Sequence, residues 1–370
     1  MIAAECDADT LGAAIDSARA LVVQVVVVVD PASALAHDAA VKAGAEVYHF
    51  TWCGDFAQAR NAALDHCTGD WVLVLDADEM LQVTNATRLR EFLGRGPAIY
   101  NLTVTSDQSA ADSLDRHFVS NDTPRLFPRL PGIRYRNPIH ETPVDDNGVV
   151  ATNGRAPGLA ITHAGYTPEA IERGNKTERN LDILGGMVEA NPICPQTRLY
   201  LSQSLHAVQS RAAIDQCLLA LHHCRLNPWT DTSNTHDQAA SDLMSALAVS
   251  KQFTRARMEA ELICQWRRPD HPGFWVSLAN CQLQDGAYNM ACSSAHAAKQ
   301  CLGAKNHHVD LGVTTWLPDT MLGMAHAKLG HADEAIACLA RALAMEPTHG
   351  REGIEEIYGQ LMVGRLSKGA

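Results

Sequence analysis

The chain has 370 residues, 46% of them hydrophobic and 19% charged, with a formal net charge of −12. That length suffices for two domains, and the composition is that of a folded globular protein, which excludes a disordered or low-complexity chain. The acidic balance excludes a surface that tracks nucleic acid throughout, and eleven cysteines without a C-x-x-C pair read as reduced core residues of a cytoplasmic protein.

Met1-Ile2 reads as the end of a first strand, and Asp9 then caps a helix whose apolar positions Leu11, Ala14, Ile15 and Ala18 recur at helical spacing. The most apolar run, Ala20 to Val29, falls far short of the roughly 20 residues that span a bilayer. It predicts a core strand over Val22 to Val29, closed by Asp30-Pro31, and no membrane span is expected anywhere. Glu5 and Asp7 stand where a secretory signal needs basic residues, so no export signal is expected either. A second helix over Ala34 to Ala43 ends at Gly44, a third strand covers Ala45 to Phe50, and a third helix runs from Asp55 to Leu64. Alternation of this kind predicts a parallel sheet covered by helices.

Trp71 to Leu75 is an unbroken apolar run between Gly69-Asp70 and the acids Asp76, Asp78 and Glu79. It predicts a strand buried on both faces in that parallel sheet, with the acids at its carboxyl end. Ligands bind at that edge of open α/β sheets. Two carboxylates one residue apart offer hard oxygens to Mg²⁺ or Mn²⁺, which in turn can hold a diphosphate. Farther on, a strand over Ala98 to Val104 leads to a polar loop, Ser106 to Asp122, expected to border a recognition site. Arg125, Arg129, Arg134 and Arg136 then fall within twelve residues. They read either as an acceptor-side surface for phosphates or an acidic acceptor, or as a solvated, proline-interrupted hairpin.

The second half is helical. A charged helix over Glu169 to Leu184 leads to repeated patterns, clearest in Trp275, Leu278, Ala279, Gly286, Ala291 and Ala298 and again in Leu322, Gly323, Gly330, Ala335, Leu339 and Ala342. Weaker copies lie near Leu199–Pro228 and Leu243–Pro269, and an insertion is expected around Gly303–Pro318. One such repeat cannot bury its apolar face alone, so the copies are expected to stack. His222-His223 and His307-His308 lack partners at ligand spacing and read as polar surface.

Four segments together carry a resemblance: Val26 to Asp30, the Phe56-Ala57-x-Ala59-Arg60-Asn61 helix, the Gly69-Asp70-Trp71 strand running to Asp76-Ala77-Asp78-Glu79, and Ile139-His140-Glu141. In order and spacing the chain resembles the family-two, inverting glycosyltransferases of GT-A fold, and within them the branch with tetratricopeptide-like repeats that contains peptide S-glycosyltransferases. The resemblance implies a Rossmann-like α/β nucleotide-diphospho-sugar transferase domain over 1–167, a linker helix over 168–190 and an all-α tetratricopeptide-like domain over 191–370. It implies metal-dependent transfer of a sugar from a nucleotide donor, a UDP-sugar first, to a macromolecular acceptor such as a peptide, a glycan or a hydroxymethylated DNA base. The helical repeats would present that acceptor or form a homodimer.

By the same resemblance Asp78 binds Mn²⁺ or Mg²⁺ directly, Asp76 touches the metal or the ribose, and His163 closes the metal site, a role open to a neutral imidazole. Asp30 faces the nucleoside, with a plain turn before Pro31 as the other reading. Arg60 and Asn61 are placed on the donor side, where a cation reaches phosphate, fixes a carboxylate or makes a surface ion pair. An inverting transfer needs a group that takes the acceptor proton, and Glu141, with His140 beside it, is expected there. The short opening before Glu5 and the Pro31-Ala32-Ser33 turn depart from the family pattern and bear on which base and sugar are accepted. The alternative is a non-catalytic scaffold that has lost its donor pocket.

Overall fold

The computed structural model describes residues 1–94, 98–107, 118–147, 152–163, 176–206, 210–226, 233–266, 270–301, 315–347 and 350–368. The chain divides into two compact units, Met1–Ile183 and Leu184–Ala370.

In the first unit, β1 (Ile2–Ala3), β2 (Val26–Val29) and β3 (Glu46–His49) form a parallel sheet in the order β1-β2-β3. Helices α1 (Ala8–Ala18) and α2 (Ala34–Lys42) cover one face, where Leu11, Ile15, Ala36 and Ala40 pack with Val27 and Val29. The alternate residues Val26 and Val28 pack with Ala63 of α3 (Phe56–Asp65), so β2 is buried on both faces. Strand period 2 thus sends each valine to one of two helical layers.

The apolar run predicted as a strand from Val22 is one only from Val26. Leu21 and Val22 both donate their amides to Ala18 O and continue the turn after α1, leaving Val23 97% exposed. Hydrophobicity alone does not extend a strand where the preceding helix end has claimed the backbone.

A five-stranded mixed sheet follows, in the order β4-β7-β6-β10-β5: β4 (Trp71–Leu73), β5 (Glu79–Val83), β6 (Ile99–Asp107), β7 (Phe118–Pro128) and β10 (Thr152–His163). β4 pairs antiparallel with β7, Val72 opposite Phe127, and does not join β2. This corrects the parallel environment expected for Trp71 to Leu75. Both faces of β4 are nonetheless covered, Trp71 and Leu73 by one core and Val72 and Val74 by another, and full burial produces the same unbroken apolar run whatever the direction of the neighbour. The polar loop expected to reach Asp122 is strand from Phe118, and residues 108–117 lie outside the described ones. Helix α4 (Ala86–Leu93), capped by Asn85, closes this sheet with Leu89. A hairpin of β8 (Arg134–Arg136) and β9 (Thr142–Val144) carries the Asn137 to Glu141 loop. A 510 Å³ cavity lies beside β1, lined by Val22 to Val26 on one side and Gly69 to Leu75 on the other.

Helix α5 (Lys176–Ala190) continues across the division between the units; the rest of the helix expected from Glu169 lies outside the described residues. The second unit is all-helical among its described residues: α6 (Pro195–His206), α7 (Ser210–Leu226), α8 (Ser233–Val249), α9 (Phe253–Trp266), α10 (Pro272–Gln284), α11 (Tyr288–Gln300), α12 (Leu317–Leu329), α13 (Ala332–Ala344) and α14 (Arg351–Lys368). Two tight turns, with Gly286 and Gly330 at positive φ, join α10 to α11 and α12 to α13. These pairs are the tetratricopeptide-like repeats, and small residues set their spacing: Ala291, Ala295 and Ala298 are fully buried, and a Cβ on Gly323 would stand 2.6 Å from Leu339 Cδ2. None of the described helices is long and apolar enough to cross a membrane.

Candidate active site

The site builds outward from α3. Asp55 caps the helix by accepting from Gln58 N at 2.9 Å, and Phe56 N donates to Pro138 O at 2.8 Å, which moors the β8–β9 loop to the helix start. One turn on, Asn61 exchanges two hydrogen bonds with the Tyr135 backbone, Nδ2 to O at 3.0 Å and Tyr135 N to Oδ1 at 2.9 Å. Asn61, expected on the donor side, spends its amide on holding β8 against α3.

Between these two anchors Arg60 projects inward. Its Nη2 donates to Asp76 Oδ1 at 2.8 Å and its Nε to Glu141 Oε1 at 2.5 Å, while the guanidinium lies 5.6 Å from the Tyr135 ring centroid. Of the roles open to Arg60 in the sequence, the geometry supports fixing carboxylates. Arg125, on β7, donates from Nη2 to the other oxygen of Asp76 at 2.9 Å and to Glu79 Oε1 at 2.7 Å. Glu79 Oε2 in turn accepts from Asp76 N at 2.8 Å. Burial disfavours every charge in this cluster, yet Arg60 and Arg125 together hold Asp76 well below the usual carboxylate range. Burial and the nearby Asp76 charge push Glu79 up to about 7. Asp76 is therefore the node of an ion-pair network, with both oxygens engaged.

Asp78 turns the other way. Its Oδ2 lies 3.1 Å from His163 Nε2, at the end of β10, and 3.6 Å from Lys176 Nζ, on the first turn of α5. The pairing of β10 with β5 sets His163 opposite Glu79 and so beside the acidic turn. Burial works against the imidazolium, but the hydrogen bond and charge of Asp78 outweigh it and raise the His163 pKa; the same contact lowers that of Asp78. An oxygen and an imidazole nitrogen thus face each other, with side-chain exposures of 21% and 13%. No third His, Cys, Asp or Glu completes a metal cluster with them among the described residues. This donor set suits a hard divalent ion that takes few protein ligands and fills its remaining positions with water and phosphate oxygens.

The loop before Glu141 is strained: Asn137 and His140 adopt φ of 74° and 53° on either side of buried Ile139. Neither residue is glycine, so the conformation costs free energy that the surrounding contacts offset, as at sites where a side chain must be aimed. His140 is exposed and Glu141 turns in to Arg60.

Other expected residues lie apart. Asp30 accepts from Ala32 N at 2.8 Å and Trp52 N at 2.6 Å, bonds that lower its pKa, so its carboxylate organises the turn after β2. The four arginines do not form one surface. Arg125 is buried in the network, Arg129 donates to Gly69 O, Arg134 pairs with Asp65 at 2.8 Å, and Arg136 is exposed. Glu79, Tyr135, Lys176 and Arg179 belong to the site's surroundings without having been singled out in the sequence. For Glu79 the signal was a third acid beginning a strand; for Lys176 and Arg179 there was only charge on a helix.

Residues 2–149 match the model of glycosyl transferase family 2. A TPR repeat-containing protein of Synechococcus elongatus is 36% identical over 148 residues, 38% of this chain and 35% of that one. The SPbeta prophage-derived glycosyltransferase SunS of Bacillus subtilis is 26% identical over 172 residues, 46% of this chain and 40% of that one. The matches thus span two fifths or less of these relatives' lengths. The solved structure of YrrB, a TPR protein, overlaps 49% of this chain and 84% of its own at 15% identity and a TM-score of 0.37, a level at which a shared fold is not established. Asp76, Asp78, Glu79 and Glu141 accordingly lie within the segment that matches the glycosyl transferase family 2 model, ahead of the helical repeats in the chain, while His163 lies beyond it.

Proposed function

We propose that the protein transfers a glycosyl group from a nucleoside diphospho-sugar to an acceptor hydroxyl or thiol, with inversion at the anomeric carbon. The observation that carries this reading is the division of labour between the two acids of the Asp76-Ala77-Asp78 turn, one with both oxygens held by two arginines and the other set against His163. Asp78 and His163 are the residues that would hold Mg²⁺ or Mn²⁺. The cation would supply positive charge against the departing diphosphate.

The remaining work falls to the chain itself. Arg60 fixes Asp76 and Glu141 at the same time, so the positions of the metal-side turn and of the acceptor-side loop are set by one guanidinium. Glu141, with Oε1 held by Arg60, takes the proton from the acceptor on Oε2 as the nucleophile attacks the anomeric carbon and the bond to the diphosphate breaks. An acceptor thiol needs less of this help, because its thiolate forms near neutral pH. The test is incubation with UDP-, GDP- and dTDP-sugars and Mn²⁺, following release of the nucleoside diphosphate by mass spectrometry. Turnover that is lost on Asp78→Ala supports the reading. No turnover and no thermal stabilisation by any nucleotide with Mn²⁺ would instead identify a binding scaffold.

A further inference from the structure

We infer that Lys176 and Arg179, on the first turn of α5, form a phosphate-binding pair for the diphosphate of the donor. This rests on the transferase reading above. Both lie outside residues 2–149, which match the family model.

Three residues apart on a helix, the two side chains share a face. Lys176 Nζ lies 3.6 Å from Asp78 Oδ2, with the side chain 31% exposed. The Arg179 guanidinium stacks 4.9 Å from the ring centroid of Phe56, the residue whose amide moors the Glu141 loop. Arg179 also senses the charges of Asp7 and Glu141. One helical turn therefore sets one cation on Asp78 and a second over Phe56, at the start of α3.

The charge balance makes this pair necessary for an anionic ligand. Asp7, Asp76, Asp78, Glu79 and Glu141 crowd one edge of the domain, and the buried Arg60 and Arg125 are already committed to Asp76, Glu79 and Glu141. A diphosphate approaching Asp78 would meet more carboxylates than these two arginines offset. A divalent ion offsets part of it, and Lys176 and Arg179 supply the rest. The Lys176–Asp78 pair is partly exposed, and among the described residues Arg179 donates to Asn180 Oδ1, at 3.2 and 3.4 Å. An ammonium serves as a mobile point charge and a guanidinium as a fork for two phosphate oxygens, which suits them to successive phosphates.

The test is calorimetric titration of the full chain, in Mn²⁺, with UDP, GDP, the matching monophosphates and inorganic pyrophosphate. Wild type is compared with Lys176→Gln, Arg179→Gln and the double variant, each checked for an unchanged melting temperature. The expected result is that the double variant weakens the diphosphates and pyrophosphate at least tenfold and the monophosphate less, with Lys176→Arg retaining most of the affinity. A general loss of structure would not move that ratio. Diphosphate affinity within twofold of wild type in the double variant overturns this inference and leaves the transferase reading standing. Absence of any diphosphate binding by wild type overturns both.

Discussion

His163 Nε2 lies 3.1 Å from Asp78 Oδ2, an imidazole at the end of one strand facing a carboxylate at the turn after another. Each group stabilises the charged form of its partner, so each titrates away from its ordinary value. Asp78→Asn removes the charge and keeps the shape. It should return the His163 pKa towards that of free histidine, read by NMR, and abolish Mn²⁺ binding, read by electron paramagnetic resonance. His163→Ala should weaken Mn²⁺ roughly 10- to 100-fold, the range seen when a group that tunes or completes a metal site is removed. Unchanged Mn²⁺ affinity in both variants would rule out this pair as the metal site.

Glu141 is held by Arg60 at 2.5 Å on a strained loop, which fixes its position relative to the Asp76 turn. Glu141→Gln preserves the volume and one acceptor oxygen but removes the basicity, so on the proposed reading kcat with a hydroxyl acceptor should fall by about 10²-fold or more while donor affinity stays near wild type. A variant that loses donor binding and retains kcat would assign Glu141 to the donor side instead.

In the repeats, the fit of Gly323 against Leu339 gives a prediction about stability. A Cβ at Gly323 would lie 2.6 Å from both Cγ and Cδ2 of Leu339, which is itself fully buried and has no room to retreat. Gly323→Ala should therefore cost about 1–3 kcal/mol by overpacking, more than the helix-propensity gain of roughly 1 kcal/mol. Gly359, in α14, has no atom within 4 Å of the corresponding position, so Gly359→Ala should keep the propensity gain and stabilise the chain. Denaturant melts of the two variants should shift in opposite directions. A stabilising Gly323→Ala would show that the helices of this repeat are not packed this closely.

Much of this architecture was legible in the residues. The alternation of apolar runs and helical patterns gave the order of elements as far as the acidic turn, and the small residues at Gly323 and Ala335 gave the repeats. The direction of β4 was not legible, because a strand covered on both faces reads the same beside a parallel or an antiparallel neighbour. Asp76 and Asp78 were equivalent as letters. Only the placement of Arg60 on α3 and Arg125 on β7 separates an acid with both oxygens engaged by arginines from one that faces His163. Arg125 was grouped with its neighbours on spacing along the chain, but strand alternation turns it inward while Arg129, past the strand end, stays outside. Lys176 showed only as a charge on a helix, since its meaning depends on an acid 98 positions earlier in the chain.

The last prediction concerns Glu79, which is 1% exposed and stands between Arg125 and the charge of Asp76. Its pKa rises from 4.5 in the unfolded chain to about 7 in the folded protein, so between these values the folded state holds a proton that the unfolded state has released. Stability from this group is fully present below pH ~4.5 and is lost as pH rises through about 7. At about 1.4 kcal/mol per pKa unit, the loss is on the order of 3 kcal/mol. Asp76, depressed by its two arginines, acts in the opposite sense, and its contribution is lost only as pH falls through its low folded value. His163, raised by Asp78, adds a fall with the same sign as that of Glu79, so the wild-type slope alone does not separate the two. Glu79→Gln does, because the amide keeps the hydrogen bond to Arg125 and cannot titrate. In metal-free protein, urea melts from pH 4.5 to 8 should show stability falling with pH in wild type and falling distinctly less in Glu79→Gln. Parallel curves for the two proteins would mean that Glu79 is ionised throughout, held as a buried carboxylate by Arg125 and the Asp76 amide.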